Sequence, residues 1–198
     1  GAIGMGSILG AVVGWIRSLR LVKRIRPLWW LTSIYVDTIR GTPLLLQVYF
    51  VYYAVPVLTG INTSVFLAGI ATLALFQGGY VSEAVRSGLE AIERTQWWAG
   101  ESLGMSYLQT MRYIILPQAL GMTIRHMLGQ AIVLVKDSSL LSLISIMELT
   151  RAGQLLTSDR FMPTEGFLTT AAFYLLLYYL LKTFSGWSEK RLIFREAH

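Results

Sequence analysis

Long uncharged apolar runs alternate with short polar stretches along this chain. A helix that crosses a bilayer needs about 20 mostly apolar residues. Residues 1–16 carry no charge, slightly short of a span, and are expected to belong to a first span whose start is missing. A basic stretch, RSLRLVKRIRPLWW, follows at residues 17–30, with Trp29 and Trp30 placed as interface anchors. From Gly41 to Ser82 there is no charged residue. That run holds two spans, near 41–58 and 64–84, and TGINTS (59–64) supplies the turn. Pro43 suits a helix start, where its missing N–H is not needed. A mixed segment, RTQWWAGESLGMSYLQTMRYIILPQAL (94–120), comes next. A fourth span is expected to begin near Pro117 and to run to about residue 136. The apolar run SSLLSLISIM (138–147) is too short to cross and reads as a re-entrant or half-membrane piece. The polar stretch ELTRAGQLLTSDRFMPTE (148–165) leads to a fifth span at roughly 166–184, where Lys182 can snorkel.

Composition agrees with that pattern. Of 198 residues, 54% are hydrophobic and 14% charged, against roughly 25% charged in soluble domains. The expected fold is an all-α polytopic membrane protein of about five spans, forming one domain over 1–198. There is no cysteine, which excludes disulfides and thiolate metal sites. The opening GAIGMG lacks a charged n-region, so no signal peptide is read. The net charge of +6 matters mainly through its position. With five spans, 14 of the 17 Lys and Arg residues fall on one side, and only Lys136, Arg151 and Arg160 fall on the other. The positive-inside rule then puts segment 94–120 and the C-terminus in the cytoplasm and turns 148–165 outward.

Segment 94–120 therefore faces water. Thr95 can cap a short helix, QWWAGESL. Gly104 falls where a left-handed C-terminal residue would sit. Ser106 then caps a second helix, with Gln109 three places on in capping-box spacing. The segment reads as helix, glycine corner, helix, proline corner, which presents a surface where a linker would only need length. Trp97, Trp98, Leu103 and Met105 give it an apolar face. Two surfaces could cover that face. One is the lipid interface, which tryptophan favours. The other is a groove on a partner protein.

Here a resemblance bears on the choice. The stretch resembles the cytoplasmic coupling loop of ABC importer permeases, whose pattern is Glu-Ala-Ala, three residues, Gly, nine residues, Ile, one residue, Leu-Pro. Gly104, Ile114, Leu116 and Pro117 fall on it in register, and Ala99 takes the first alanine position. Two positions depart from it. Trp98 stands at the glutamate and Gly100 at the second alanine, with Glu101 and Glu93 the candidate replacements for the carboxylate. The wording YVDTIRGTPLLLQVYFVYY (35–53), GGYVSEAVRSGLEAI (78–92), ESLGMSYLQTMRYIILPQAL (101–120) and LVKDSSLLSLI (134–144) is similar to the polar amino acid branch. Four such stretches in order cover nearly the whole chain and favour docking on a partner.

The resemblance implies a permease subunit of a binding-protein-dependent importer in the bacterial inner membrane. Two permease subunits, of this chain or of a paralogue, would pair around a path for a polar amino acid. A dimer of ATP-binding-cassette ATPases would dock below on the coupling loop (94–117). A solute-binding protein would deliver substrate from outside. ATP and Mg would sit on the ATPase, and this chain would hold no cofactor and do no bond chemistry. The implied coupling residues are Trp97, Trp98, Ala99, Gly100, Glu101, Leu103, Gly104, Met105, Ser106 and Pro117.

Candidates for the substrate path are polar groups within the spans: Gln77, Glu83, Gln130, Lys136, Asp137, Ser138 and Ser139. Charge at membrane depth is costly and usually functional. Ser138 and Ser139 could cap a half-helix whose N-terminus meets a carboxylate. Plainer roles stand beside these. Lys136 and Asp137 could simply end the fourth span at the interface. Glu83 could pair with Arg86. Gln77 and Gln130 could join helices. Arg125 and His126, half-way along the fourth span, are expected to avoid lipid. His126 and His198 lack companions for a metal site, and no nucleotide-binding loop is present. The basic stretch 17–26 is a topology signal beside the bilayer, where nucleic-acid binding is not expected. Rival readings are a permease for methionine or an ion, an ATP-independent channel, and a membrane enzyme. The last would need clustered His, Asp or Glu, which the sequence lacks.

Overall fold

A computed structural model describes residues 1–18 and 26–193. Arg20, Lys23 and Arg24 of the basic stretch, and Arg195 and His198 of the tail, lie outside the described residues. Among the described residues there are eight helices and no strand. They are α1 (Ala2–Ser18), α2 (Arg26–Gly41), α3 (Leu44–Thr59), α4 (Val65–Glu90), α5 (Arg94–Ser102), α6 (107–137, continuing as a 3-10 turn over Ser138–Ile144), α7 (Leu149–Arg160) and α8 (Pro163–Ile193). By length and composition, Val65–Glu90, Tyr107–Ile144 and Pro163–Ser188 can each cross a membrane. Helices α2 and α3 pass that test only as a pair bent by 112°, and α1 is a shorter apolar helix.

Helix α4 is the hub. Lipid tails are as apolar as leucine, so helices in a bilayer associate by close packing and hydrogen bonds, not by the hydrophobic effect. Helix α1 meets this need with a four-residue glycine repeat. Gly6, Gly10 and Gly14 are all buried against α4. A Cβ on Gly10 would lie 2.5 Å from Val81 Cβ and 2.6 Å from the Gly78 carbonyl oxygen. Helix α2 reaches α4 through Tyr35, whose hydroxyl donates to the Leu75 carbonyl at 2.7 Å. The α2–α3 elbow is tied by Gln47, whose Nε2 donates to the carbonyls of Ile39 (2.8 Å) and Thr42 (3.1 Å). Gly60, at φ +70°, closes α3. Ser64 then caps α4, its hydroxyl accepting from the Leu67 N–H at 3.3 Å.

Two prolines sit inside helices without ending them. A proline has no N–H for the carbonyl four residues back, and its ring crowds that carbonyl. In α3 a π turn at Phe50–Ala54 precedes Pro56, and in α6 one at Met111–Ile115 precedes Pro117. In both, the carbonyl the proline would leave unbonded, that of Tyr52 or Tyr113, belongs to the wider turn. This corrects the expected start of the fourth span. The helix begins at Tyr107 and passes through Pro117, because the π turn absorbs the proline.

Two further corrections concern polar stretches. Residues 26–41, left between the first and second expected spans, form α2. Much of 148–165 forms α7, whose first amides are held by Glu148: its carboxylate accepts from Thr150 N–H (2.9 Å) and Arg151 N–H (2.6 Å), and Tyr174 of α8 donates to it at 2.8 Å. The short apolar run after α6 does not cross. Its Leu141 and Ile144 pack against Leu44 and Val48 of α3, Leu73 and Phe76 of α4, and Leu134 of α6. Ser145, left-handed at φ 64°, ends it.

Candidate coupling corner and path residues

Helix α4 ends at Glu90, and three residues lead into α5. Ile92 in that link is buried with Leu89, Met111, Ile115 and Ala119, and Trp97 and Tyr107 close the cluster. The Trp97 and Tyr107 rings stack at 5.2 Å with planes 16° apart. In water, full burial of one such apolar side chain contributes about 1.5–3 kcal/mol, so this cluster gives the corner a core of its own. Glu93, not Thr95, is the N-cap of α5. The Thr95 hydroxyl instead donates to the Glu93 carboxylate at 3.0 Å.

The turn from α5 into α6 is fully bonded. Gly104 has φ +71°, a conformation costly for residues with a Cβ. The Gly104 N–H donates to the Glu101 carbonyl (2.9 Å) and the Met105 N–H to the Gly100 carbonyl (3.0 Å), which is the Schellman pattern. Ser106 then opens α6 with a complete capping box: Gln109 N–H donates to its hydroxyl (3.4 Å) and its own N–H donates to Gln109 Oε1 (2.8 Å). Gly100 is buried against Thr110, and a Cβ there would lie 2.5 Å from Thr110 Oγ1. Thr110 thus occupies the space an alanine at position 100 would use.

With one aromatic face spent on this core, the opposite face is bare. Trp98 is 59% exposed, Leu103 76% and Leu108 74%. Ala99, Glu101 and Ser106 are exposed as well, and Met105 is half-buried. Tyr113 is also exposed. Leu108 and Tyr113 were not singled out from the sequence. The helix that carries them, opened by Ser106, was expected from the sequence, but which of its faces is bare depends on the Trp97–Tyr107 packing.

The path candidates do not converge. Gln77 is 1% exposed and faces α1: a Cβ on Gly6 would lie 2.6 Å from Gln77 Cβ. Its Nε2 is buried without a hydrogen-bond partner among the described residues. Glu83 lies six residues on, well round the helix, in a cluster with Arg17, Arg40 and Arg86. Gln130 is half-buried on α6. Lys136 is exposed beside α8, its Nζ 5.7 Å from the Tyr178 ring centroid, with Lys182 Nζ 5.8 Å from the same ring. Asp137 and Ser139 are half-buried. Ser138 caps nothing, since its hydroxyl donates back to the Val135 carbonyl at 2.7 Å. The 3-10 turn continues α6 without a break, so no free helix N-terminus forms there. Arg125 and His126 are exposed in the single chain. Among the described residues no group of three or more His, Asp or Glu could hold a metal ion.

A broken membrane bundle with a rigid, bare-faced corner between α4 and α6 is the arrangement the sequence resemblance implies. The profile of the family described as "Binding-protein-dependent transport system inner membrane component" matches residues 5–194. The chain belongs to this family. Among relatives, the putative glutamine transport system permease protein GlnP of Rickettsia typhi is 33% identical over 186 residues, covering 94% of this chain and 85% of its own length. The L-cystine transport system permease protein TcyB of Bacillus subtilis is 33% identical, with 93% and 79% covered. Among solved structures, "an amino acid ABC transporter with histidines" matches with a TM-score of 0.89 at 30% identity, covering 96% of this chain and 86% of that one. The MetNI methionine ABC transporter shares the fold at a TM-score of 0.78 and 19% identity. The chain is thus a multi-pass inner-membrane permease subunit of an importer, and the family is one of non-enzymatic subunits.

Proposed function

We propose that this permease forms half of a translocation path for a polar amino acid and receives the force of ATP hydrolysis at the α5 corner. The carrying observation is the corner itself: a turn held by the Gly104 hydrogen bonds and the Ser106 box, offering Trp98, Leu103 and Leu108 to a partner. Large exposed apolar groups beside a closed, rigid turn suit a groove on an ATPase. In this reading α5 docks on one subunit of a cytoplasmic ATPase dimer, which binds the ATP and Mg. A second permease, this chain or a paralogue, completes the path. A solute-binding protein delivers substrate from the far side. The charge split supports a cytoplasmic C-terminus. Relatives named for glutamine, cystine and arginine support the substrate class.

The test is gentle detergent purification from the native host, identification of what co-purifies, and amino acid uptake by the reconstituted complex. The expected result is an ATPase, a second permease subunit, and ATP-dependent uptake of one or a few polar amino acids. A chain that purifies alone at native expression and shows salt-sensitive passive flux would return α5 to the lipid surface and make the protein a channel.

A further inference from the structure

The cluster around Glu83 joins three helices at one carboxylate. Arg17, from the last turn of α1, reaches Glu83 Oε2 at 3.4 Å. Arg40, from the end of α2, reaches the same oxygen at 3.7 Å. Arg86, one turn on in α4, bonds both Glu83 oxygens and also pairs with Glu90. Arg17 is only 8% exposed. Together with Trp29 and Asp37 these groups line a polar cleft of about 290 Å³. Three arginines face Asp37, Glu83 and Glu90, so the cleft carries no net charge to attract a charged solute. Both Glu83 oxygens are engaged, which leaves little of the carboxylate for a substrate.

The cluster's place in the chain gives it a mechanical role. From Glu83, α4 runs two turns to Glu90, and the short link with buried Ile92 leads into α5. Whatever moves α5 therefore moves this end of α4. Helices α1 and α2 have no covalent connection to the corner near this point. At that level Arg17 and Arg40 tie them to α4 through Glu83, and Gly14 of α1 packs beside them, on Ser82 and Val85. Further from the corner, Gly6, Gly10 and the Tyr35–Leu75 hydrogen bond hold the same two helices to α4. The Arg17–Glu83 pair is largely shielded, with 9% and 22% side-chain exposure, so parting it leaves charge in a poorly solvated site; Arg40, 41% exposed, adds a weaker tie.

We propose that Glu83 with Arg17, Arg40 and Arg86 is an ionic clamp that makes α1 and α2 move with α4 when the ATPase drives the α5 corner. Glu83 is a positioning residue in this scheme and does not contact substrate. The proposal rests on the reading of α5 as the ATPase dock.

The test uses the complete importer in proteoliposomes with substrate-loaded binding protein, and reads uptake per ATP hydrolysed. In E83Q the ATPase stays bound and hydrolyses ATP, while uptake per ATP falls about tenfold or more. E83D, which keeps the charge, recovers most of the loss. Unchanged uptake per ATP in an assembled E83Q complex overturns the clamp. An ATPase that never binds the parent chain would instead overturn the docking reading, so the two failures are distinguishable. A second measurement does not depend on E83Q folding. The chain has no cysteine, so Ser18→Cys and Ser87→Cys can carry a spin-label pair on α1 and α4 in the parent background. The clamp predicts the same label distance with and without ATP. A change larger than one helical turn, about 5 Å, contradicts it.

Discussion

Replacing Gly104 tests the corner without disturbing anything packed on it. A Cβ at Gly104 would meet no atom within 4 Å, so the whole cost of a side chain is conformational. At φ +71° an L residue with a Cβ costs roughly 1–2 kcal/mol, and a β-branched one more. The two Schellman hydrogen bonds that hold the turn contribute about 0.5–1.5 kcal/mol each. The penalty is therefore comparable with what closes the corner, yet small beside a fold stability of about 5–15 kcal/mol. The chain should still insert and fold while the corner opens in a sizeable fraction of molecules. Since about 1.4 kcal/mol is a factor of ten, Gly104→Ala should lower uptake per ATP by a few-fold to tenfold, and Gly104→Val further. Gly104→Asn should stay closest to the parent, because asparagine tolerates this backbone. The assay is amino acid uptake and ATP hydrolysis in the same proteoliposomes, with complex quantified after purification. Normal coupling in Gly104→Val at normal expression would refute the reasoning.

Other substitutions probe other links. Gly10→Leu drives a side chain into Val81 and the Gly78 carbonyl. Overpacking of about 1–3 kcal/mol should lower Tm in detergent by about 2–12 °C, and an unchanged Tm would mean α1 does not pack on α4 as described. Gly100→Ala should destabilise the corner, because its Cβ would sit 2.5 Å from Thr110 Oγ1. Thr110→Ala in the same chain should restore ATPase binding, and failure of that rescue in a pull-down would argue against the contact. Lys136→Ala is expected to change uptake rate or the range of amino acids carried while the ATPase still co-purifies. If competition uptake is unchanged and only the yield of folded protein falls, Lys136 lies outside the path.

Features set by local pattern could be read from the sequence, and features set by distant contacts could not. The apolar runs gave the positions of α3, α4 and α8 to within a few residues of their cores. Gly104 and the Ser106–Gln109 spacing fix a turn through backbone chemistry that acts within five residues. Helix α2 was missed because Asp37 and Arg40 interrupt its apolar run, although it buries Ser33 and Val36. Helix α7 was missed because its cap is a glutamate, outside the usual N-cap set, and its stability draws on Tyr174 of α8. Pro117 misled because proline ordinarily starts or stops a helix, and periodicity does not announce a π turn. Arg17 was counted only for topology. Its partner Glu83 is 66 residues away, beyond any helical spacing rule. The exposure of Leu108 likewise follows from which side of the corner Trp97 and Tyr107 fill.

The central claim is that the bare face of α5 and its corner docks on an ATPase. The most direct measurement is site-specific crosslinking from Leu103→Cys, in a chain with no other cysteine, within native membranes that contain the whole importer. The account predicts an adduct with the ATPase whose yield changes on addition of ATP, and none from a cysteine at Thr59, at the far end of α3. Crosslinking of position 103 to lipid alone, with the ATPase present, would contradict it.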